Sequence, residues 1–350
     1  MNNYISFDSH KRYTIAAVEG KEDHQKRIYR IEHEWGKVKS FLSQYTPGGA
    51  VAVETIGNWY WIVDEIEEAG QIPLLVHAQK SKVMMGIINK TDKLDADGLN
   101  RLQRTGTLPT VWIPPGDLRD RRELYRQRMQ YVQEKVRCKN RLHANLAKYG
   151  LGEGAWTDLF GKKGRQLLEE RIEQLPRNTK EMSTGLLKHL EILEDSISCC
   201  EEAMKSEFGE HPLLKLLMSI PGVGFILGTI ILSETGDLER FPSAQHYASY
   251  CGTTPRVKAS GGKVRYGRLR KDCNHYLKWA FVEAANVMCL KQNAWKDRHT
   301  VQLYKRIKAK KGHGVAIGAV ARHLSEAAYW IMKKKEPYKD PLLSVESRQG

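Results

Sequence analysis

The sequence predicts an α/β domain followed by a mostly helical remainder, the class α/β plus α. Three observations predict it. Short apolar runs that suit strands alternate with helix-like stretches over residues 4–77, a Pro-rich break covers 107–117, and helical apolar spacings prevail beyond it. These shifts divide the chain into an α/β domain at 1–112, a helical segment of coiled-coil character at 113–205, a mostly helical domain at 206–335 and a tail at 336–350.

In order, "YISFD" alternates into a strand that ends at Asp8, "SHKR" can turn, "YTIAAVEG" reads as a second strand and "RIYRIEH" as a third, so the chain opens with a meander. A helix-like stretch from Trp35 to Gln44 and a "TPGG" break lead to "AVAVE", a buried-strand run that ends on Glu54. After the amphipathic "WYWIVDEIEEAG", "IPLLVH" repeats the strand pattern, and "NKTDKLDADGLNRL" reads as a helix. Strands alternating with helices imply an α/β sheet, in which sites gather at the carboxyl ends of strands, where Asp8 and Glu54 both fall. The three-residue spacing of Asp92 and Asp95 puts both carboxylates on one helix face, whereas Asp97 is rotated roughly 200° from Asp95 and is left out. Four converging carboxylates repel one another unless cations neutralise them. Hard oxygen ligands favour Mg²⁺ or Mn²⁺, commonly as a pair about 4 Å apart in phosphoryl-transfer sites. The plainer reading of each acid alone is a turn closure or a solvated helix face. The order Asp, Glu, Asp, Asp on this strand and helix pattern resembles the ribonuclease H-like fold of RuvC-type nucleases.

Lys plus Arg number 56 against 41 Asp plus Glu, a formal charge of +15, which favours a polyanionic partner: nucleic acid first, an anionic membrane surface as rival. No apolar run reaches the roughly 20 residues that span a bilayer and the first residues lack a signal-peptide core, so a cytoplasmic protein without membrane contact is expected. The six cysteines are scattered without a CxxC pair, which argues against a zinc knuckle or a disulfide framework.

In the middle segment, "RRELYRQRMQYVQEKVRCKNRLHANLAKYG" places apolar residues at helical spacings among many basic side chains, and "LLKHLEILEDSISCCEEAM" continues after breaks. An antiparallel hairpin, a coiled-coil dimer contact and a nucleic-acid face all suit it. Further on, "HPLLKLLMSIPGVGFILGTIILSETGDLERF" has two apolar helical runs joined by "IPGVG", the pattern of a helix-hairpin-helix, in which Gly222 and Gly224 would let backbone N–H groups approach a DNA phosphate; a hairpin packed in the core is the plainer reading. Then comes a basic cluster: Arg256, Lys258, Lys263, Arg265, Arg268, Arg270 and Lys271, with Asp272 alone against them. Phosphate oxygens are the expected counter-charge. Within it "ASGG" reads as a flexible loop carrying Ser260, and an unaided serine is a poor nucleophile, so a turn or a phosphate contact suits it from spacing alone.

Taken together, "FDSHKRYT", "AVETIGNWYWIVDEI", "NKTDKLDADGLNRL", "IPGVGFILGTIILSETGDLERF", "YCGTTPRVKASGGKVRYGRLRK" and "HGVAIGAVARHLSEAAYWIMKKKEPY" occur in the order and at roughly the separations of the IS110 family of insertion-sequence transposases, which the chain resembles over nearly its whole length. That resemblance implies a RuvC-like DEDD domain joined to a serine-bearing transposase domain. Asp8, Glu54, Asp92 and Asp95 would be the metal tetrad, holding Mg²⁺ or Mn²⁺ as a pair of ions, and Ser260 the residue that attacks DNA to form a phosphoserine linkage. It further implies donor and target DNA as partners, a structured noncoding bridge RNA as guide, and a homo-oligomer, a dimer or a tetramer in the synaptic complex, acting at the bacterial nucleoid. Delegating sequence to RNA leaves the protein to read shape and backbone. Two positions depart from the family pattern: Ala259 replaces a frequent hydroxyl residue, and Cys273 stands where glycine is common. Tyr266 and His275 lie near Ser260 in sequence without a role as base that the sequence assigns. Two other functions fit the residues: a RuvC-like nuclease that uses metal-activated water, and a non-enzymatic nucleic-acid-binding protein whose acids are structural.

Overall fold

A computed structural model describes residues 3–55, 57–86, 91–152, 158–161 and 163–341. The chain divides into two units, Met1–Pro114 and Pro115–Gly350.

In the first unit, β1 (Asn3–Ser9), β2 (Tyr13–Gly20) and β3 (Lys26–Glu32) make the expected antiparallel meander. Strand β4 (Ala50–Glu54) pairs parallel with β1, and β5 (Ile72–Val76) with β4, so the sheet runs β3-β2-β1-β4-β5. Side-chain alternation then decides the layers. Ile5, Phe7, Val51 and Val53 point to one face, where Val38 and Leu42 of α1 (Lys37–Leu42) and Ile62, Val63 and Ile66 of α2 (Trp59–Glu68) cover them. Each such fully buried side chain is worth about 1.5–3 kcal/mol of transfer free energy. Ser6 and Asp8 of β1 and Ala52 and Glu54 of β4 are the alternate set. They point to the opposite face, which α3 (Ala78–Met85) and α4 (Asp92–Arg104) cover through Met85, Ala96, Leu99 and Leu102.

Two polar anchors hold α4 on β1: Ser6 Oγ donates to the Ala96 carbonyl at 2.8 Å, and Asn100 Nδ2 donates to the Tyr4 carbonyl at 2.9 Å. The Pro-rich stretch is less free than its composition suggests. His77 N–H donates to Pro109 O at 2.9 Å and Val111 N–H donates to Leu75 O at 2.7 Å, so the strand edge at β5 is lined by it before the unit ends at Pro114. Asn89 and Lys90 of the "NKTD" helix stretch lie outside the described residues.

The second unit opens with α5 (Gly116–Lys148), α6 (Gly164–Glu173) and α7 (Arg177–Phe208). Helices α5 and α7 form an antiparallel hairpin within the chain, since Arg121 meets Glu207 at 2.6 Å, Arg128 meets Glu201 at 2.6 Å and Lys135 meets Glu194 at 2.9 Å. Those three cations of the basic face are thus matched by acids of α7. At the distal end Leu142 and Leu146 bury against Leu168, Ile172 and Leu175. At the proximal end Tyr125 and Met204 enter the core built by α8 (Pro212–Leu217), α9 (Phe225–Thr235), α10 (Ala244–Tyr250), α11 (His275–Leu290) and α13 (His313–Lys334), with α12 (His299–Lys311) closing one side. Of the tail, residues 336–341 dock back, Tyr338 N–H donating to Ser219 Oγ at 2.7 Å and Asp340 accepting from His299 N–H at 3.1 Å; residues 342–350 lie outside the described residues.

One expectation fails here. Residues 255–269 are not a flexible loop but a two-stranded ribbon, β6 (Pro255–Ser260) and β7 (Lys263–Leu269). Gly261 and Gly262 have φ of 55° and 73°, the left-handed pair that a two-residue type I′ turn requires, which is why two consecutive glycines close a hairpin here. Among the described residues no helix is long and apolar enough to cross a membrane, and all six cysteines are free thiols.

Candidate active centre and nucleic-acid interface

Asp8 and Glu54 end adjacent parallel strands, Phe7 being in register with Val53, and alternation turns both carboxylates toward α4. The start of α4 is fixed by Thr91, whose side chain accepts from Leu94 N–H at 3.3 Å, so Asp92 and Asp95 occupy the first helical turn. The ligand atoms of Asp8, His10 and Asp92 all lie within 4.8 Å of one another. His10 Nε2 stands 3.3 Å from Asp8 Oδ2 and 3.1 Å from Asp92 Oδ2, and Tyr13 donates its hydroxyl proton to Asp92 Oδ2 at 2.9 Å. Glu54 and Asp95 fall outside that tight cluster, yet both act on Asp8. Burial pushes the Asp8 carboxyl up to about 6; His10 opposes the rise, while Asp95, Glu54 and Asp92 add to it. Asp97, set aside from the sequence, is held by Lys26 instead.

Glu54 Oε1 is buried and lacks a hydrogen-bond partner among the described residues, its nearest cation being Lys82 Nζ at 3.9 Å, while buried Asp8 Oδ2 and His10 Nε2 face each other and Asp92 without a well-formed hydrogen bond. Buried polar atoms are normally satisfied, so this donor set fits a cation bound by carboxylate oxygens with one imidazole nitrogen. His10 is the residue that sequence reasoning missed. Its signal was modest: a histidine two positions after a strand-end aspartate, inside a stretch read as a turn. Below it, Asn58 Nδ2 donates to the His10 carbonyl at 3.1 Å, which fixes the turn that presents the ring.

In the second unit the ribbon has two chemically distinct faces. The register pairs Ser260 with Lys263, Ala259 with Val264, Lys258 with Arg265 and Val257 with Tyr266. Alternation therefore puts Lys258, Ser260, Lys263 and Arg265 on one face and Val257, Ala259, Val264 and Tyr266 on the other. Lys258 directly opposes Arg265, a like-charge pair that is unfavourable unless an anion lies across it. Tyr266 is on the face away from Ser260 and so does not serve as its base within the ribbon. Arg256 and Arg268 flank a register shift and, like Lys271, are exposed. Arg270 is committed to the scaffold, donating to Asp272 at 2.7 Å and to Ser249 Oγ at 3.0 Å. Cys273 is accommodated because its Sγ lies against Gly252, where a Cβ would stand only 2.3 Å from the sulfur.

The "IPGVG" corner separates its two glycines. Gly222, with φ 84°, backs onto α11 so closely that a Cβ would stand 2.5 Å from the Ala284 carbonyl oxygen, so packing alone demands glycine there. Gly224 precedes α9 and is open, nothing lying within 4 Å of its missing side chain. Beyond the ribbon, the start of α11 is tied to α5 and α9 through Glu234, which is 1% exposed. It accepts from Tyr125, from Arg126 at 2.8 Å and from Asn274 at 2.7 Å, while Arg122 donates to the Ser233 and Glu234 carbonyls at 2.9 and 3.0 Å. Asn274 in turn caps α11, its side chain accepting from Tyr276 and Leu277 N–H. Burial raises the Glu234 carboxyl, but Arg122 and Arg126 outweigh it and hold the group below the ordinary range.

Comparison with known proteins gives the family. Residues 8–150 match a transposase family of the DEDD IS110 type, a designation that points to divalent-metal use, and residues 214–300 match the family described as Transposase IS116/IS110/IS902. The chain is 24% identical over 267 residues to the transposase for insertion sequence element IS1328 of Yersinia enterocolitica, covering 76% of this chain and 78% of that protein. It is 22% identical over 319 residues to the transposase for insertion sequence element IS1111A of Coxiella burnetii, covering 87% of this chain and 86% of that protein. A Pseudomonas aeruginosa protein named "Probable family 20 transposase" is 22% identical over 285 residues, 78% of this chain and 81% of its own length. With both matched segments falling on the acid centre and on the serine-bearing unit, the chain belongs to the IS116/IS110/IS902 family of transposases, enzymes of insertion-sequence DNA transposition.

Proposed function

We propose that this transposase cuts and rejoins DNA with Ser260 as nucleophile and with Asp8, Glu54, Asp92 and Asp95 holding Mg²⁺ or Mn²⁺, two ions in the full site. The observation that carries the reading is the face Ser260 occupies. It shares that face with Lys258, Lys263 and Arg265, so a phosphodiester drawn to those cations lies against its hydroxyl. Positive charge around the hydroxyl also favours its alkoxide.

In the covalent step Ser260 Oγ loses its proton and bonds to phosphorus, the bond from phosphorus to one ester oxygen breaks, and that oxygen leaves with a proton. The phosphoserine diester conserves the bond energy, so a later attack by a DNA hydroxyl on the same phosphorus rejoins strands and restores Ser260. Cations held by these acids would supply Lewis-acid neutralisation of charge on the phosphate oxygens. Asp8 and Glu54 supply rigid donors from strand ends, Asp92 and Asp95 supply donors from the α4 first turn, and His10 lies in position to complete the set.

The strand order β3-β2-β1-β4-β5 supports a ribonuclease H-like first domain, and the open approach at Gly224 supports a phosphate contact of the helix-hairpin-helix kind. Val136, Met182 and Ile192, all at least half exposed on the α5–α7 hairpin, support its use as a contact between subunits of a homo-oligomer, a dimer or tetramer. Diffuse basicity supports a guide RNA that carries the sequence specificity for donor and target DNA, with the enzyme acting at the nucleoid in the cytoplasm. The test is Ser260→Ala with the acids intact. Loss of both strand cleavage and strand exchange is expected; retained cleavage would favour a RuvC-like nuclease that uses water.

A further inference from the structure

A cavity of about 610 Å³ opens at the foot of the serine ribbon, where Pro255, Arg268 and Leu269 face the corner between α12 and α13. That volume lies within the range of about 300–1,000 Å³ usual for small-ligand sites. Leu269 forms one wall because Gly318 of α13 leaves room for it: a Cβ there would stand 3.4 Å from the leucine side chain. Pro255, Leu269 and Ala319 give it an apolar floor, Arg268, Lys311 and Arg322 are its cations, and its two other polar side chains, Thr253 and His313, are hydrogen-bonded to Ser325 and Tyr304. No carboxylate is among the described residues that line it. Arg322 is held by Glu326 at 2.9 Å, whereas Arg268 and Lys311 have no carboxylate partner among the described residues. An apolar floor under cations suits a ligand with a flat apolar body and an anionic end.

We propose that the cavity takes one unstacked nucleotide of the strand bound along the basic ribbon, its base on the apolar floor and its phosphate at Arg268 and Lys311. The proposal rests on the reading of the ribbon as a polynucleotide contact, because it is the neighbouring backbone that brings the nucleotide in. Extruding a base from a stack costs a few kcal/mol, which burial of the base and the charge-assisted phosphate contacts offset. Apolar groups that meet the face of a base do not read its edge, in keeping with sequence being read elsewhere. The foot of β6 is five residues from Ser260, roughly 16 Å at the rise of a strand, or about five steps of a B-form strand. The pocket would thus grip the strand a fixed distance from the reacting phosphate.

Methyl-resolved NMR of the full chain, in a chelator so that no strand is cut, tests this with thymidine 5′-monophosphate, uridine 5′-monophosphate and inorganic phosphate as separate probes. Both nucleotides are expected to give saturable shifts at the Leu269, Val315 and Ala319 methyls. Lys311→Gln should weaken them about tenfold, the worth of one charge-assisted contact. Ala319→Phe fills the floor and Val315→Trp, at the exposed mouth, blocks entry without touching the core; each should abolish the shifts. Tighter binding of the thymidine nucleotide assigns the pocket to DNA, tighter binding of the uridine nucleotide assigns it to RNA, and equal binding assigns it to either strand. The proposal is overturned by the absence of shifts with both nucleotides, by phosphate alone reproducing them in full, or by binding that survives Val315→Trp. Since no cleavage is involved, that failure leaves the acid-and-serine reading untouched, and failure of Ser260 as nucleophile would leave the nucleotide shifts in place.

Discussion

Replacing Asp8 by asparagine removes a charge while keeping the shape of a side chain that is 5% exposed, and it separates what the residue does for catalysis from what it does to stability. The carboxyl is displaced from an ordinary value of 3.8 to about 6, burial being the main cause. At 1.36 kcal/mol per pKa unit this corresponds to about 3 kcal/mol. The sign is destabilising. A carboxyl whose folded value is raised carries no penalty below about pH 4, where it is protonated folded and unfolded alike; the penalty grows as the pH rises to about 6 and stays constant above. In metal-free buffer, then, Asp8→Asn should gain on the wild type by about 3 kcal/mol between pH 4 and pH 7, while losing all strand transfer. Urea denaturation of both proteins in a chelator at several pH values reads the difference directly, and other titrating groups cancel to first order. Added Mg²⁺ or Mn²⁺ should stabilise the wild type and leave Asp8→Asn unmoved, since a ligand that binds only the folded state adds to its stability. A difference between the two proteins that does not change with pH would show that the Asp8 carboxyl is not raised by its burial.

Three further outcomes follow from the geometry of the second unit. Glu234→Gln leaves buried Arg122 and half-buried Arg126 beside a neutral amide and should cost about 3 kcal/mol in denaturant unfolding; a loss below about 1 kcal/mol would contradict the assigned network. Because its folded value is lowered, the stability from Glu234 is present above the ordinary carboxylate range and is lost as the pH falls through the lowered value. Gly222→Ala adds a methyl against the Ala284 carbonyl at a φ of 84°, so its melting temperature should drop by several degrees for an expected loss of about 1–3 kcal/mol. At the ribbon tip, Gly261→Asn suits a type I′ turn and should keep DNA strand transfer, whereas Gly261→Val should cost about 1–2 kcal/mol locally and suppress transfer while leaving oligonucleotide affinity nearly unchanged; equal activity of the two would remove the turn from the account.

Much of the acid centre was legible because strand ends and helix starts carry strong local signals. "AVAVE" and "YISFD" end on their acids, and Thr91 before Asp92 is a good cap, so a period-two strand and a capped helix already fix which way four carboxylates point. His10 was not legible, because a ring that joins two acids across a turn leaves no periodic trace. The ribbon was misread for a physical reason: both of its faces are exposed, so basic residues fill positions where an apolar alternation normally announces a strand. "SGGK" between "VKA" and "VRY" was nonetheless a hairpin signal. Gly222 carries a demand that no local window shows, since helix packing against Ala284 requires glycine there whatever its approach to phosphate. The intramolecular pairing of the basic face of α5 with acids of α7 lies beyond any local window, because the paired residues are 59 to 86 positions apart in sequence.

Covalent chemistry at Ser260 is the centre of the account, and a denaturing gel of purified protein with its guide RNA, donor and target DNA and Mg²⁺ tests it most directly. A protein–DNA adduct that survives denaturation, maps to Ser260 by peptide mass and is missing from Ser260→Ala is expected. Strand exchange at wild-type rate by Ser260→Ala, or an adduct mapped to another residue, would contradict it.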